Sequence, residues 1–263
     1  MSEQLPPTET IRTFCVICNS KQYFDSWESI DLPCKRNTFF CRLCGSNARN
    51  RHLVKVLLDY FKYDSIYDFV GNFQGKVWVA EAQGPLVEKL SAIQDFVSSE
   101  FLDDVPSGYR LNEILCQDLT QTSFPDNYFD VIITQDVLEH VADAQRAVEE
   151  IFRILRPGGI HICTVPVQWD LQETLIRASV ISGKLTHHLE PVFHGDPIRS
   201  DGALAYTDFG SDICLKFLEK IGKTVIYTSN ANLKDQKKFA IYNNWVFVST
   251  KPLINLDLTL NKT

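Results

Sequence analysis

The stretch VWVAEAQGPLVEKL, Val77–Leu90, reads as a buried strand, a tight turn and the start of a helix. A nucleotide-binding α/β domain places its glycine-rich phosphate loop at such a junction. Here the turn holds one glycine, Gly84, and a carboxylate, Glu81, where a run of glycines is usual. A turn of this kind offers little to a diphosphate, which needs amide donors and positive charge.

Further β runs follow at Phe96–Ser99, Glu113–Cys116, Val131–Thr134 and Ile160–Val165, with helical patterns over Leu86–Ile93 and Asp143–Leu155. Strands alternating with helices predict a mostly parallel sheet covered on both faces. RPGG, Arg156–Gly159, ends the second helix, because proline cannot continue it and glycine supplies a left-handed turn. Residues 166–205 read as a long irregular loop with a short helical piece at Leu171–Ser179. A loop of that length in a compact domain points to a substrate lid. YTDFGSDICLKFLEKIG predicts a helix closed by Gly222, and TVIYTS and WVFVST predict a final antiparallel pair at the sheet edge.

Ligands of open α/β sheets bind beyond the C-terminal strand ends, where strand order reverses. Glu81, Ala82, Gln83 and Gly84 follow the first strand, Glu100 and Phe101 the second, Asp118 and Leu119 the third, and Gln135 and Asp136 the fourth. Three successive strand-end acids make an electronegative rim suited to a cationic cofactor. Glu100 stands where an acid accepts from ribose hydroxyls.

At 263 residues and 44% hydrophobic, the chain can form one large domain, or one with a small appendage, around a real core. No apolar run approaches the roughly 20 residues of a membrane span. The N-terminus MSEQLPPTET lacks the regions of a signal peptide, and the expectation is a cytoplasmic protein. Its eight cysteines are then metal ligands or buried thiols rather than disulfides. Cys15-x-x-Cys18 and Cys41-x-x-Cys44 form two knuckles that can close a tetrahedral shell around a structural Zn²⁺. Cys34 is read as outside that set, and Cys116, Cys163 and Cys214 as core thiols.

The net charge of −7 argues against wholesale nucleic-acid binding. Yet Lys35, Arg36, Arg42, Arg49, Arg51, Lys55 and Lys62 face only one acid, Asp59, within their segment. That segment is either a local basic patch for an anionic substrate or a solvated helix face.

The segment Asp118–Pro166 resembles the class I S-adenosylmethionine-dependent methyltransferases, type 11-like, through FPDNYFDVI, VLEHV and ILRPGG in that order. The resemblance covers about residues 76–250. CRLCGSNARNRHL, Cys41–Leu53, resembles a CxxC…CxxCGS segment that some bacterial methyltransferases carry ahead of the domain, and there too an acid and a proline replace the usual GxGxG. The resemblance implies a Rossmann-like α/β sheet of seven strands, mostly parallel with the last pair antiparallel. A tail, a zinc-ribbon-like module and a connecting helix occupy 1–62. The methyltransferase domain occupies 63–263, with its lid at about 166–205. It also implies Glu81–Gly84 around the methionine moiety, Glu100 on the ribose, and Asp118 and Leu119 near adenine.

HHLEPVFHGDP, in the predicted lid, offers His194 as a general base, oriented by Asp196 or His188. His140 reads as a helix-entry residue and His161 as structural. The expected function is S-adenosylmethionine-dependent methyl transfer to an oxygen or nitrogen of a small molecule, such as a sugar or natural-product intermediate. The alternatives are an RNA or protein methyltransferase docking through the basic zinc module, and a non-catalytic binding protein of the same fold.

Overall fold

The computed structural model describes residues 6–27, 35–196, 199–242 and 244–253. Cys34 lies outside the described residues.

An antiparallel hairpin, β1 (Glu9–Cys15) and β2 (Ser20–Ser26), is extended by β3 (Phe40–Cys41). Then come α1 (Ala48–Phe61), α2 (Ile66–Asn72), β4 (Val77–Val79), α3 (Pro85–Leu90), β5 (Phe96–Ser98), β6 (Phe129–Gln135), α4 (Ala144–Ile154), β7 (Leu155–Thr164), β8 (Lys223–Thr228), α5 (Leu233–Phe239) and β9 (Trp245–Thr250). Among the described residues the main sheet has six strands in the order β8-β9-β7-β6-β4-β5. β4 to β7 run parallel, and β9 lies antiparallel between β7 and β8. Strand order therefore reverses between β4 and β6, which is where a doubly wound sheet opens its crevice.

Neighbouring strand residues point to opposite faces. Val77, Val79, Val131, Ile133, Ile160, Ile162, Val246 and Val248 pack under α1, α2 and α3. Trp78, Ile132, Cys163 and Phe247 pack against Ala147, Val148 and Ile151 of α4. Burial on both faces explains the continuous apolar strands.

Four sequence expectations change. The strand over Glu113–Cys116 is reduced to one parallel bridge, Cys116 with Glu100. Ile114–Leu115 folds back on Arg110–Leu111 instead, because Asn112 and Glu113 both take positive φ (49° and 66°), the tight hairpin turn. RPGG ends α4 but then lies within β7 as a bulge, with Leu155 opposite Phe129 and Ile160 opposite Val131. The lid is built from short ladders and has no helix at Leu171–Ser179. Leu175–Ile176 pairs with Thr207–Asp208, Ala178–Ile181 with Lys184–His187, and Phe193–His194 with Ala203–Leu204. The predicted helix closed by Gly222 is a four-residue helix, Ile213–Lys216, and a 3-10 turn, Leu218–Lys220.

The cysteine module is not a separate appendage in packing terms, since Cys15, Ile17, Phe24 and Cys41 share one core with α1 and the sheet. Asn47 and Asn50 form a reciprocal capping box at the start of α1, and Leu53, Val54 and Leu57 form its buried stripe. Arg51 on the same helix is 0% exposed. It donates to Phe239 O at 2.9 Å, to Ala240 O at 2.7 Å and to Ser46 O, and its guanidinium stands 4.4 Å from the Phe24 ring centroid. One side chain thus ties the module to the end of α5. Arg51→Ala leaves three buried carbonyls without these donors. It is expected to cost about 3 kcal/mol or more, lowering the thermal midpoint by roughly 10 °C. A midpoint within 2–3 degrees of wild type would contradict this role.

Candidate functional site

The C-terminal ends of β4, β5 and β6 bring the rim acids together. Gly84 has φ 114°, and a Cβ built there meets only Glu81 Oε2, at 3.9 Å. The turn is open on that side, and its conformation favours glycine. Glu81 Oε1 accepts from Gln135 Nε2 at 2.7 Å, and burial pushes its carboxyl up to about 7, against the pull of Arg49 and Gln135. Glu100 accepts from Phe101 N at 3.2 Å and Ala82 N at 3.4 Å, so it spans from its own strand end to the β4 turn. Burial raises its pKa as well. Asp118 Oδ1 is held locally by Thr120 N and Oγ1, both at 2.7 Å. The Leu119 side chain packs in the core beside Trp78 and Ala80.

Asp136 stands at the end of β6 with φ 53°. Arg36 grips its carboxylate with two bonds of 2.7 and 2.8 Å, Arg49 adds another, and Thr164 Oγ1 donates at 3.0 Å. Burial alone pushes the Asp136 carboxyl up, but Arg49 and Arg36 outweigh it and hold it well below the usual range. Next to it, Gln135 accepts from Asn50 Nδ2 at 3.0 Å while donating to Glu81. The cysteine module and α1 therefore floor the crevice. Arg36, Arg49 and Arg51 are internal counter-ions and donors rather than an exposed basic patch, and Arg42 pairs with Asp25.

The lid reaches the same rim. Arg199 donates to Phe101 O at 3.0 Å and pairs with Asp103 and Asp196. Asp196 is within electrostatic reach of both Glu100 and His140. His194 is bonded to His140 (Nδ1 to Nε2, 3.2 Å). His188 is exposed and bonds Ser179 Oγ at 2.8 Å. The imidazole that meets His194 is thus that of His140, which sequence reasoning had placed as a helix-entry residue. Beside it sits Glu139, 1% exposed, with neither carboxylate oxygen hydrogen-bonded among the described residues. His161, by contrast, is enclosed in the core against Thr134 Oγ1 at 2.9 Å.

The four knuckle cysteines also converge. Cys15 and Cys44 sulfurs lie 3.8 Å apart, and Cys18 and Cys41 sulfurs 3.7 Å apart. Four thiolates about 2.3 Å from a tetrahedral zinc stand roughly 3.8 Å from one another. The donor set and spacing fit Zn²⁺. The rim fits S-adenosylmethionine in the same sense: an open glycine turn bounded by carboxylates suits a group carrying a sulfonium and an ammonium.

Arg36, Arg49, Asn50 and Glu139 were missed as site residues. Glu139 carried one signal, an acid set among Val137, Leu138 and Val141.

Glu81 gives a pH test. Its folded pKa of about 7 exceeds its ordinary 4.5, so the folded chain binds a proton more tightly than the unfolded one. That contribution is present at low pH and is lost as pH rises towards 7, above which the buried carboxylate destabilises the fold. Glu81→Gln is therefore expected to raise the thermal midpoint of the free chain at pH 8 and to change it less at pH 5. Equal shifts at both pH values would contradict the assignment.

Residues 96–163 match the family described as Methyltransferase domain. A Mycolicibacterium smegmatis protein named as a probable S-adenosylmethionine-dependent methyltransferase is 39% identical over 62 residues, 24% of each chain. The ubiquinone/menaquinone biosynthesis C-methyltransferase UbiE of Vibrio campbellii is 50% identical over 36 residues, 14% of each chain. The chain thus spans a quarter or less of the length of these two curated relatives. Among solved structures, the PH0226 protein of Pyrococcus horikoshii OT3 aligns with 78% of this chain and 90% of its own at 15% identity, with a TM-score of 0.46. The matched segment runs through β5, β6, α4 and most of β7, the strands and helix that border the crevice.

Proposed function

We propose that this chain transfers the methyl group of S-adenosylmethionine to an oxygen or nitrogen of a small molecule, with a structural zinc on Cys15, Cys18, Cys41 and Cys44. The observation that carries this reading is the rim itself. Glu81 and Glu100 converge on an open Gly84 turn at the switch point, beneath a lid latched by Arg199. When bound, the sulfonium supplies an activated methyl group. The protein has to align the acceptor with it and exclude water.

Within this reading, Glu81 and the Ala82–Gly84 backbone hold the amino-acid end, Glu100 takes the ribose hydroxyls, and Asp118 and Leu119 border the adenine. Phe101, 46% exposed and close to Arg199, closes the ribose side. The paired strands Phe193–His194 and Ala203–Leu204 cover the acceptor entrance. The His140–His194 pair handles the acceptor there, in place of a pairing of His194 with Asp196 or His188. Arg36, Arg49 and Arg51 are committed internally, which leaves the basic segment little surface to offer RNA or an acidic polymer.

The test is titration calorimetry of the zinc-loaded chain with S-adenosylhomocysteine. Wild type is expected to bind, and Glu100→Ala to weaken binding at least tenfold, about 1.4 kcal/mol. No heat from a folded wild-type chain would move the reading to a non-catalytic binding protein.

A further inference from the structure

Three donor atoms at the lid base lie within 4.8 Å of one another: a Glu139 carboxylate oxygen, a ring nitrogen of His140 and a ring nitrogen of His194. The positions come from two distant segments, joined by short bonds. The lid pairs Phe193–His194 with Ala203–Leu204. Gly202, with φ 81°, lets the turn close, since a Cβ there would stand 2.4 Å from His194 O. Leu204 O then accepts from His140 Nδ1 at 2.9 Å, and Tyr206 N donates to Glu139 O at 2.8 Å.

These bonds settle the chemistry of His140; His194 Nδ1 then donates to its Nε2 at 3.2 Å, and becomes a ligand atom once its proton moves to the other ring nitrogen. A carbonyl only accepts, so His140 carries its proton on Nδ1 and presents a bare lone pair at Nε2. Metal-binding histidines are oriented in this way, the second ring N–H given to a backbone carbonyl. His140 Nε2 stands 3.2 Å from His194 Nδ1 and 3.8 Å from Glu139 Oε1. Ligand atoms about 2.1 Å from a common metal stand roughly 3.0–3.4 Å apart, so the histidine pair is already at ligand spacing and Glu139 Oε1 closes by a few tenths of an ångström on binding. Glu139 supplies the independent sign of a ligand, for it is 1% exposed and both of its oxygens lack a hydrogen-bond partner among the described residues. Leaving a buried carboxylate unpaired is costly, and a cation removes that cost.

We propose that Glu139, His140 and His194 hold a divalent transition-metal ion, separate from the cysteine site, with open positions that take an oxygen of the methyl acceptor. Two imidazoles and one carboxylate are the ligand set of open catalytic zinc and non-haem iron centres. The acceptor is then an alcohol or phenol, ideally with a second oxygen to chelate. This last step rests on the methyl-transfer reading. The metal-bound hydroxyl releases its proton to solvent. Its oxygen forms the new C–O bond as the S–CH₃ bond breaks, and that electron pair returns to sulfur, leaving the thioether. His194 is a ligand in this scheme and not the base. Asp196 near His140 and Arg49 near Glu139 set the field around the ion.

The experiment is a cobalt(II) titration of the full chain already carrying one equivalent of zinc. It follows visible d–d absorption without sulfur charge-transfer bands, and metal content after desalting. Wild type is expected to take one further equivalent. Glu139→Gln and His194→Ala, checked for folding by circular dichroism, are each expected to weaken it at least tenfold, while His188→Ala binds as wild type does. No further equivalent in wild type, or an affinity less than tenfold weaker in either folded variant, overturns the proposal. The titration needs no cofactor. A chain that takes the second metal and fails to bind S-adenosylhomocysteine keeps this site and loses the methyl-transfer reading; the reverse pattern does the opposite.

Discussion

The architecture of the crevice depends on the burial of Asp136. A carboxylate at a strand end, largely withdrawn from water with 14% of its side chain exposed, is tolerated only with compensation. Two guanidinium groups and a hydroxyl provide it. Because Arg36 and Arg49 come from the cysteine module and α1, that compensation binds the N-terminal segment to the mouth of the sheet. Gln135 extends the connection, holding Asn50 with its oxygen and Glu81 with its amide. A zinc with a full thiolate shell performs no chemistry. In this chain it would still govern the crevice, by fixing the segment that delivers the two arginines.

The continuous apolar runs of β4, β6, β7 and β9 and the helical pattern of α4 were legible in the sequence, because both are local patterns. So was the turn at Gly84, where a lone glycine and one acid, Glu81, share a short stretch of chain. The seventh strand was misread because Glu113–Cys116 has the same composition whether it extends a sheet or closes a hairpin. Positive φ at Asn112 and Glu113 decides between them. The lid ladders were hidden for a similar reason, with a turn at Ser182–Gly183 whose φ values of 52° and 76° set the hairpin.

The basic segment was legible as charge but not as destination. Nothing local distinguishes an exposed arginine from one aimed at a carboxylate a hundred positions on. His194 and its partner were half legible: the lid histidine stood out, while its pairing with His140 and Glu139 exists only once the lid folds over the β6 end. An acid between apolar neighbours, as at Glu139, is the kind of local contradiction that marks a site. The candidate chemistry thus gathers where local and global preferences disagree, on a scaffold where they agree.

The central claim is that the cysteine module and the strand-end crevice are one structural unit. Hydrogen exchange of the zinc-loaded chain, before and after metal chelation, tests it most directly. The account predicts that chelation deprotects the amides of Gln135–Val141 together with those of the Cys15–Cys18 and Cys41–Cys44 knuckles. Loss of protection confined to the knuckles, with the β6 end unchanged, would contradict it.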